Sequence, residues 1–312
     1  MLQLAVKAFL ACKITVGVCA YNEEQNIARL LSNILCEQGL PAESEVLVVC
    51  SGCTDNTANI VYGFSKIDPR VKLHVERVRR GKASAINRIL SKASGKVILF
   101  ISADTLPDAG CFSRLISKVE LPNVGVSCGN PVPTNRTNSL VGRLVQLLWG
   151  LHGQVFAEYS KAGLARHATE AFCIRRGIVR NMPPGTVNDD AYMALTAKKK
   201  GWLVKFDPEA LVLIHGPETY SEYLSQRRRV LFGHYQLKKS MSESPQHLIY
   251  LLPLHPSRVL GLLLWLCSKY NPLSVAAFIS TELLVNAVAS IDVFRGKSHV
   301  IWRTAPSTKK VL

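Results

Sequence analysis

Side chains able to do acid, base or metal chemistry stand at a few places in this sequence. They are Glu23 and Asp104, each after an apolar run, the pair Asp189 and Asp190 behind a Pro-Pro-Gly turn, and Lys82 in a basic loop. Mg²⁺ or Mn²⁺ takes one or two protein carboxylates and fills its shell with phosphate oxygens and water. Such a metal and a lysine can neutralise charge on a leaving diphosphate, and a remaining carboxylate can deprotonate an attacking hydroxyl.

The elements that must hold these side chains alternate between strand and helix. From Ile14 to about Ile116, β-branched runs such as KITVGVCA and EVLVVC are separated by helical stretches such as NEEQNIARLLSNIL. This spacing predicts an α/β fold with βαβ units on a mostly parallel sheet. In open sheets of this kind, ligands bind beyond the carboxyl ends of the strands. We therefore expect one cleft formed by the polar segments 20–24, 50–57, 76–83 and 102–107.

Two common nucleotide-binding motifs are missing from these strand ends. They carry neither the Gly-x-Gly-x-x-Gly of a dinucleotide fold nor the Gly-Lys-Ser/Thr of a phosphate-binding loop. A cofactor dehydrogenase or an ordinary NTPase is therefore disfavoured. A nucleotidyltransferase remains an alternative, although its usual glycine-rich loop is replaced by CAYNEE after the first strand. A noncatalytic protein that binds nucleotide or an anionic polymer is the other alternative.

The composition favours anionic partners and a reducing compartment. The formal net charge is +16 although only 19% of residues are charged, as expected for a chain that meets nucleotides, nucleic acid or acidic lipids. Nine cysteines are scattered, mostly in apolar runs, where cysteine behaves as a small buried hydrophobe. The Cys-x-x-Cys from Cys50 to Cys53 has no second pair and precedes a Thr-Asp turn, which disfavours a redox or metal role.

The two ends of the chain differ from its middle. Residues 1–12 read as a leader segment without the features of a signal peptide. Residues 247–312 contain two strongly apolar runs, which predict either membrane spans or a re-entrant hairpin, or helices that lie on a membrane or pack on the domain. Basic flanking residues favour the cytoplasmic face of a membrane. They are Lys238, Lys239, Arg295, Lys297, Arg303, Lys309 and Lys310.

Six segments together carry a family resemblance. In order they are VGVCAYNEEQNIARLL, VVCSGCTDNT, RRGKASAINRIL, ILFISADTLP, NDDAYMAL and QRRRVLFG, spread over about residues 13–235. They resemble the family 2 glycosyltransferases of GT-A fold, in particular the membrane-associated type that includes cellulose and hyaluronan synthases and relatives of dolichyl-phosphate sugar synthases. The resemblance implies a Rossmann-like sheet and an inverting hexosyltransferase that uses Mg²⁺ or Mn²⁺. It also implies a nucleoside-diphosphate sugar as donor, a hydroxyl or phosphate acceptor that is a glycan or lipid-linked, and no nucleic acid partner.

The resemblance also implies roles for individual residues. Residues 13–120 would bind the nucleotide sugar, and residues 121–240 would bind the acceptor and carry catalysis. Asp190 matches the catalytic base and Asp104 the metal-binding aspartate. The residues expected at the donor are Ala20, Tyr21, Asn22, Glu23, Ser51, Asp55, Lys82, Ala103 and Asp104. Those expected at the acceptor or the diphosphate are Asp189, Gln226, Arg227 and Arg229.

Four residues in three motifs depart from the family pattern. Cys50 and Ser51 stand where relatives carry two aspartates, which leaves the base-reading carboxylate missing. Ser102 replaces the first aspartate of the Asp-x-Asp metal motif. Val230 replaces the tryptophan that follows the motif containing Gln226, and this favours a single transfer over processive synthesis of a polymer.

Overall fold

The computed structural model describes residues 13–245, 256–301 and 305–309; the predicted leader and parts of the tail lie outside the described residues. The strands are β1 (Ile14–Ala20), β2 (Glu45–Ser51), β3 (Val71–Glu76), β4 (Val97–Ser102), β5 (Thr105–Pro107), β6 (Val124–Pro133), β7 (Ala171–Arg175) and β8 (Leu203–Ile214). The helices are α1 (Ile27–Cys36), α2 (Thr57–Ile67), α3 (Lys82–Lys92), α4 (Cys111–Val119), α5 (Leu140–Lys161), α6 (Asp189–Lys199), α7 (Tyr220–Met241), α8 (Pro256–Lys269) and α9 (Pro272–Phe294). A short 3-10 helix covers Pro306–Lys309.

The first half of the sheet is parallel. All eight strands form one sheet in the order β3-β2-β1-β4-β7-β6-β8-β5. Strand β1 pairs in parallel with β2 and β4, and β2 pairs in parallel with β3. The register sets Cys19 beside Ser102 and Ser51 beside Glu76, so the carboxyl ends of these four strands share one edge. The α/β fold and the common strand-end edge predicted from the sequence are thereby confirmed.

The second half of the sheet is mixed, and this changes which residues reach the same edge. Strand β7 runs antiparallel to both β4 and β6, with Ala171 opposite Ile101. Strands β6 and β8 pair in parallel, and the short β5 closes the sheet antiparallel to β8. Because β7 runs opposite to β4, the residue before it, Glu170, lies where β4 ends.

Apolar side chains cover both faces of the sheet. Val16 and Val18 of β1 belong to a buried cluster with α1 and α4 on one face. Leu47 and Val49 of β2 belong to a second cluster with α3 and α6 on the other face. A strand buried on both faces needs a nearly continuous apolar run, and this explains the sequence of β2.

The two C-terminal helices pack on the domain. Helices α8 and α9 bury Leu262, Leu266, Val275 and Phe278 against α5 and against Tyr223 of α7. In the described ranges, α9 is the one helix long and apolar enough to cross a membrane by length and composition. The sequence left open whether the apolar tail packs on the domain or enters a membrane, and in the described part both of its helices pack on the domain.

The polar residues inside α9 face α7. The Arg227 guanidinium donates two hydrogen bonds to the Glu282 carboxylate, of 2.9 and 2.7 Å, and Tyr223 donates a third of 3.2 Å. The Arg227 and Glu282 side chains are only 11% and 14% exposed. Arg228 makes a second two-pronged pair with Asp292. These pairs explain why an apolar helix carries acidic residues.

We expect the loss of one partner of the Arg227–Glu282 ion pair to destabilise the protein more than the loss of both partners. Arg227→Met or Glu282→Met should each lower the free energy of unfolding by about 3–5 kcal/mol, because each leaves one charge buried without its partner. The double variant should lose much less. Denaturant unfolding measures all three, with Arg166→Met as control because its 3.9 Å pair with Glu243 is largely exposed. Losses in the double variant equal to the sum of the singles would contradict the prediction.

Candidate active site

A cleft of about 680 Å³ opens at the carboxyl ends of β1, β2 and β4; we call it the strand-end cleft. Residues from the ends of four strands, β1 to β4, line it together. Most residues expected at the donor are among its lining: Ala20, Tyr21, Glu23, Ser51, Lys82, Ala103 and Asp104. The sheet therefore brings these loops together as the strand-end rule predicts.

Asn22 and Asp55 are not among the residues that line the cleft; they tie its loops together. Asn22 adopts a left-handed conformation with φ of 53°, and its side-chain oxygen accepts a 2.8 Å hydrogen bond from the Thr54 amide. Asp55 accepts hydrogen bonds from the amides of Thr57 and Glu24, of 3.0 and 3.1 Å. Burial opposes ionisation of Asp55, but these bonds outweigh it and lower its pKa. The structure thus gives both residues a positioning role.

The two serines that replace family aspartates each donate to a glutamate from a neighbouring strand or strand end. Ser51 Oγ donates a 2.6 Å hydrogen bond to Glu76 Oε2, and Ser102 Oγ donates a 2.9 Å bond to Glu170 Oε2. Glu170 also lines the strand-end cleft. Each serine is therefore held by a carboxylate from another part of the chain, and of the two carboxylates only that of Glu170 lines the cleft.

Asp104 lies in an acidic environment at the end of β4. Burial, Glu23 and Glu170 together raise its pKa to about 7, while Lys309 opposes the shift. In the part of the chain that the structure describes, no three His, Cys, Asp or Glu side chains are grouped to hold a metal by themselves. A cation bound by Asp104 would therefore need ligands from a substrate, as Mg²⁺ commonly does with phosphates.

A second cavity of about 280 Å³ lies between α5, α7 and α9; we call it the apolar cavity. Asp189, Asp190 and Arg227 are among its lining residues, with Arg227 held by Glu282 as described above. It meets the strand-end cleft at a polar set of side chains that line both spaces. These shared residues include Lys82, Ser102, Glu170, Gln226 and Arg229.

The two aspartates at the start of α6, Asp189 and Asp190, contact different residues. Asp189 Oδ2 lies 3.0 Å from Lys82 Nζ. Burial lowers the pKa of Lys82, but Asp189 and Glu170 outweigh burial and raise it, so this lysine stays protonated. Burial also raises the pKa of Asp190, with Asp189 adding to the shift and His167 opposing it. A carboxylate with a raised pKa, facing a cavity, can accept a proton.

Sequence reasoning missed three residues at this site. The sequence does not indicate Glu170, because in a fully parallel sheet the start of β7 would not lie at this edge. The only sequence feature that marks Glu170 is its position as an acidic residue directly before an apolar run. His167 Nε2 lies 3.8 Å from Asp190 Oδ2, and its only sequence signal is its nearness to Glu170. The third residue, Lys309, was assigned to a membrane-flanking cluster.

Lys309 instead reaches the strand-end cleft from the C-terminal tail. Its ammonium lies 2.7 Å from Glu23 Oε1 and donates to the carbonyls of Tyr21 and Asn22, each at 2.5 Å. Ser307 anchors the same segment through a hydrogen bond from its Oγ to Glu222 of α7. Lys309 thus neutralises the carboxylate of Glu23 in the loop after β1.

The Cys-x-x-Cys lies beside the cleft with no metal-binding group around it in the described residues. Cys50 is fully buried, and its contact with Cys53 lowers the pKa of the Cys53 thiol to about 7. We expect the double variant Cys50→Ser and Cys53→Ser to keep its turnover under reducing conditions, although it should unfold at lower temperature because a hydroxyl replaces a buried thiol. A loss of turnover beyond about tenfold, despite intact folding, would assign the thiols a direct role.

This chain is similar in sequence to curated bacterial synthases. Poly-beta-1,6-N-acetyl-D-glucosamine synthases of Staphylococcus aureus and Staphylococcus epidermidis are 24% and 25% identical to this chain over 230 residues, or 72% of it. The chain spans 55% of the length of these relatives.

Solved structures share the fold. The mannosyltransferase PcManGT from Pyrobaculum calidifontis, in complex with GDP-Man and Mn²⁺, gives a TM-score of 0.63 at 23% identity and covers 95% of this chain and 86% of its own. TarS 1–349 of S. aureus, in complex with UDP-GlcNAc, gives 0.51 at 14% identity and covers 92% and 93%. These likenesses confirm the GT-A fold. The model of Glycosyl transferase family 2 matches residues 15–181, just over half of the chain, so this protein belongs to that family.

Proposed function

We propose that this protein is an inverting glycosyltransferase that moves a sugar from a nucleoside-diphosphate donor to a hydroxyl or phosphate of an acceptor. The meeting of two cavities at one polar set of side chains carries the proposal. The strand-end cleft contains residues expected at the donor, the apolar cavity contains Asp190, and Lys82 and Arg229 line both. A donor in the first space and an acceptor in the second would face each other beside Asp190. Residues 13–120 then serve mainly the donor, and residues 121–240 the acceptor and catalysis.

The transfer makes one bond and breaks one. The acceptor oxygen bonds to the anomeric carbon from the face opposite the diphosphate, and the bond from that carbon to the diphosphate breaks with its electron pair. Asp190 accepts the proton of the acceptor hydroxyl. Lys82, kept protonated by Asp189, stabilises negative charge on the departing diphosphate. This division of labour explains why adjacent aspartates have different contacts.

A divalent cation fits the strand-end cleft together with the donor. Burial raises the pKa of Asp104, and Glu23 and Glu170 add to the shift, so a cation bound beside Asp104 would favour its ionised form. Asp104 would hold Mg²⁺ or Mn²⁺ with diphosphate oxygens, and Glu170 lies at the same edge. The bound cation would supply Lewis-acid stabilisation of the leaving group. The presence of Mn²⁺ with GDP-Man in the mannosyltransferase structure supports this assignment.

Donor binding is tested by thermal shift. A panel of GDP- and UDP-sugars with and without Mn²⁺ should contain one that raises Tm only with the metal, because a ligand selective for the native state stabilises it. The same sugar should then appear on an acceptor with inverted anomeric configuration by NMR. Pyrophosphate release from a nucleoside triphosphate and a sugar phosphate would instead support a nucleotidyltransferase. Donor binding without turnover on any acceptor would support the noncatalytic alternative.

We also propose that the protein works at the cytoplasmic face of a membrane. Several large apolar side chains of α8 and α9 are exposed, and exposed apolar side chains in this number suit a lipid environment. Arg295 and Lys297 follow α9 directly, as basic residues do at a cytoplasmic membrane face. Extraction from cells without detergent as a soluble monomer would contradict this proposal. The exposed apolar residues are Leu260, Leu264, Leu273, Leu283, Leu284, Ile291 and Phe294.

A further inference from the structure

The apolar cavity is lined mainly by hydrocarbon on the sides away from Asp190. Helix α5 contributes Leu148, Leu151 and Val155, and helix α9 contributes Phe278 and Ile279. Burial also lowers the pKa of His152, which lines the same space and is therefore neutral. A space with these walls adjoins a carboxylate base, so a ligand that fills it must join an apolar body to a reactive polar end.

The charged side chains that line the apolar cavity already balance one another. The three cationic side chains, Lys82, Arg227 and Arg229, line the cavity with four carboxylates, those of Glu170, Asp189, Asp190 and Glu282. Two of the cations are held in ion pairs, by Asp189 at 3.0 Å and by Glu282 at 2.7 Å. A phosphate would add negative charge to a region with no surplus of cations. A neutral hydroxyl is therefore the better polar end.

One buried polar atom at this end lacks a partner. His167 is 8% exposed and lines the cavity, and no hydrogen bond to its Nδ1 is made by the described residues. A buried ring nitrogen without a partner is costly, so the side chains around Asp190 include a polar atom that the described residues leave unsatisfied.

The cavity also reaches the outer surface of α9. Leu283 lines it and is nevertheless 58% exposed, and its neighbour Leu284 is 52% exposed on the same helix. The apolar lining is thus continuous with the exposed apolar side chains of α9. A chain-like ligand that starts beside Asp190 could therefore extend along this apolar lining towards the surface.

From this geometry we infer that the apolar cavity binds the hydrocarbon chain of an amphiphilic acceptor whose attacking group is a neutral hydroxyl. The inference rests on the proposed transferase function and specifies its acceptor class: a hydroxylated lipid or a glycolipid, in preference to a lipid phosphate or a free glycan. Burial of each methylene should tighten binding by up to about fourfold until the cavity is full.

Binding can be measured without turnover. Trp149 lines the cavity, so 10-bromodecan-1-ol should quench its fluorescence saturably, whereas 3-bromopropan-1-ol and 10-bromodecyl phosphate should quench at least about tenfold more weakly at equal concentration. Trp149→Phe should remove the saturable signal. Ile279→Phe, which fills the cavity, should abolish it, and Leu273→Phe is the matched control, because Leu273 is on the same helix, is exposed and does not line the cavity. If Ile279→Phe no longer shows a donor-induced thermal shift, Val155→Phe replaces it as the variant that fills the cavity. Equal quenching by the phosphate, or quenching that Ile279→Phe and Val155→Phe leave intact, would overturn the inference.

Turnover measurements test the acceptor class separately from the proposed transferase function. With the donor identified by thermal shift, decyl β-D-glucopyranoside should be a better acceptor than methyl β-D-glucopyranoside, and Ile279→Phe should reduce this preference at least about tenfold while sparing donor hydrolysis. Transfer to soluble glycans with no effect of chain length or of Ile279→Phe would sink the acceptor assignment and leave the transferase intact. Saturable bromodecanol binding in a protein that turns over no nucleotide sugar would retain the cavity as an amphiphile site and refute the transferase.

Discussion

Replacing Asp190 by Asn should lower kcat by about 10²–10⁴-fold, the range that general-base catalysis contributes. An asparagine keeps the size of the side chain and can still accept the hydrogen bond that Asp190 receives from the Ala191 amide at 2.7 Å. It cannot take a proton from the acceptor. The Kd of the donor should therefore change little, and steady-state kinetics together with donor titration measure both quantities.

A matched control comes from the neighbouring aspartate. Asp189→Asn removes the ion pair with Lys82, so it should disturb the leaving-group side and donor binding more than proton removal. The pH dependence of kcat should lose its acidic limb in Asp190→Asn and keep it in Asp189→Asn. If Asp190→Asn retained more than about a tenth of wild-type kcat, another group would have to be the base.

Replacing Asp104 by Asn should give two effects of opposite sign. It should lower kcat/KM by about 10²–10³-fold, because Lewis-acid assistance by a metal is worth several kcal/mol. It should also raise the stability of the metal-free protein near neutral pH, because an amide avoids the repulsion from Glu23 and Glu170. Activity assays with Mn²⁺ and unfolding with a chelator present measure the two effects separately. A variant that lost stability and kept activity would contradict both assignments.

The pH dependence of that stability has a definite sign. The pKa of Asp104 is raised to about 7, above its ordinary value of 3.8, so the native state holds a proton that the unfolded chain has released. Without metal, this group makes stability fall as pH rises between about 4 and 7 and adds no further change above that window. Asp104→Asn should remove this part of the slope in unfolding curves. The exposed Asp108→Asn is the control and should leave the slope unchanged.

Most of the strand-end cleft could be predicted from the sequence because it depends on local patterns. Apolar runs that end in polar loops predicted the parallel strands, and a parallel half-sheet necessarily brings those loops to one edge. Ala20, Ser51 and Asp104 line one cleft for that reason. Asn22 and Asp55 sit in the expected loops, but whether a loop side chain faces a ligand or its own backbone depends on turn geometry that composition does not specify.

The rest depends on contacts across long sequence separations. Glu76 and Glu170 stand beside serines in the aspartate positions only because β3 and β7 pair as they do. The partner of Arg227 is Glu282, on a helix that the sequence alone could have placed in a membrane. A motif match assigns such an arginine to a ligand, whereas the structure shows a carboxylate already holding it.

The C-terminal tail bears on how a simplified form of the protein would behave. A fragment ending before α8 is the obvious choice for crystallisation in water, since it omits the apolar helices. It would also omit Lys309, whose ammonium neutralises Glu23 and binds two carbonyls of the first loop. Weak nucleotide-sugar binding by that fragment would then reflect a missing cation, not a missing bilayer. Lys309→Met in the full chain distinguishes the two causes, because it removes the charge and keeps both helices.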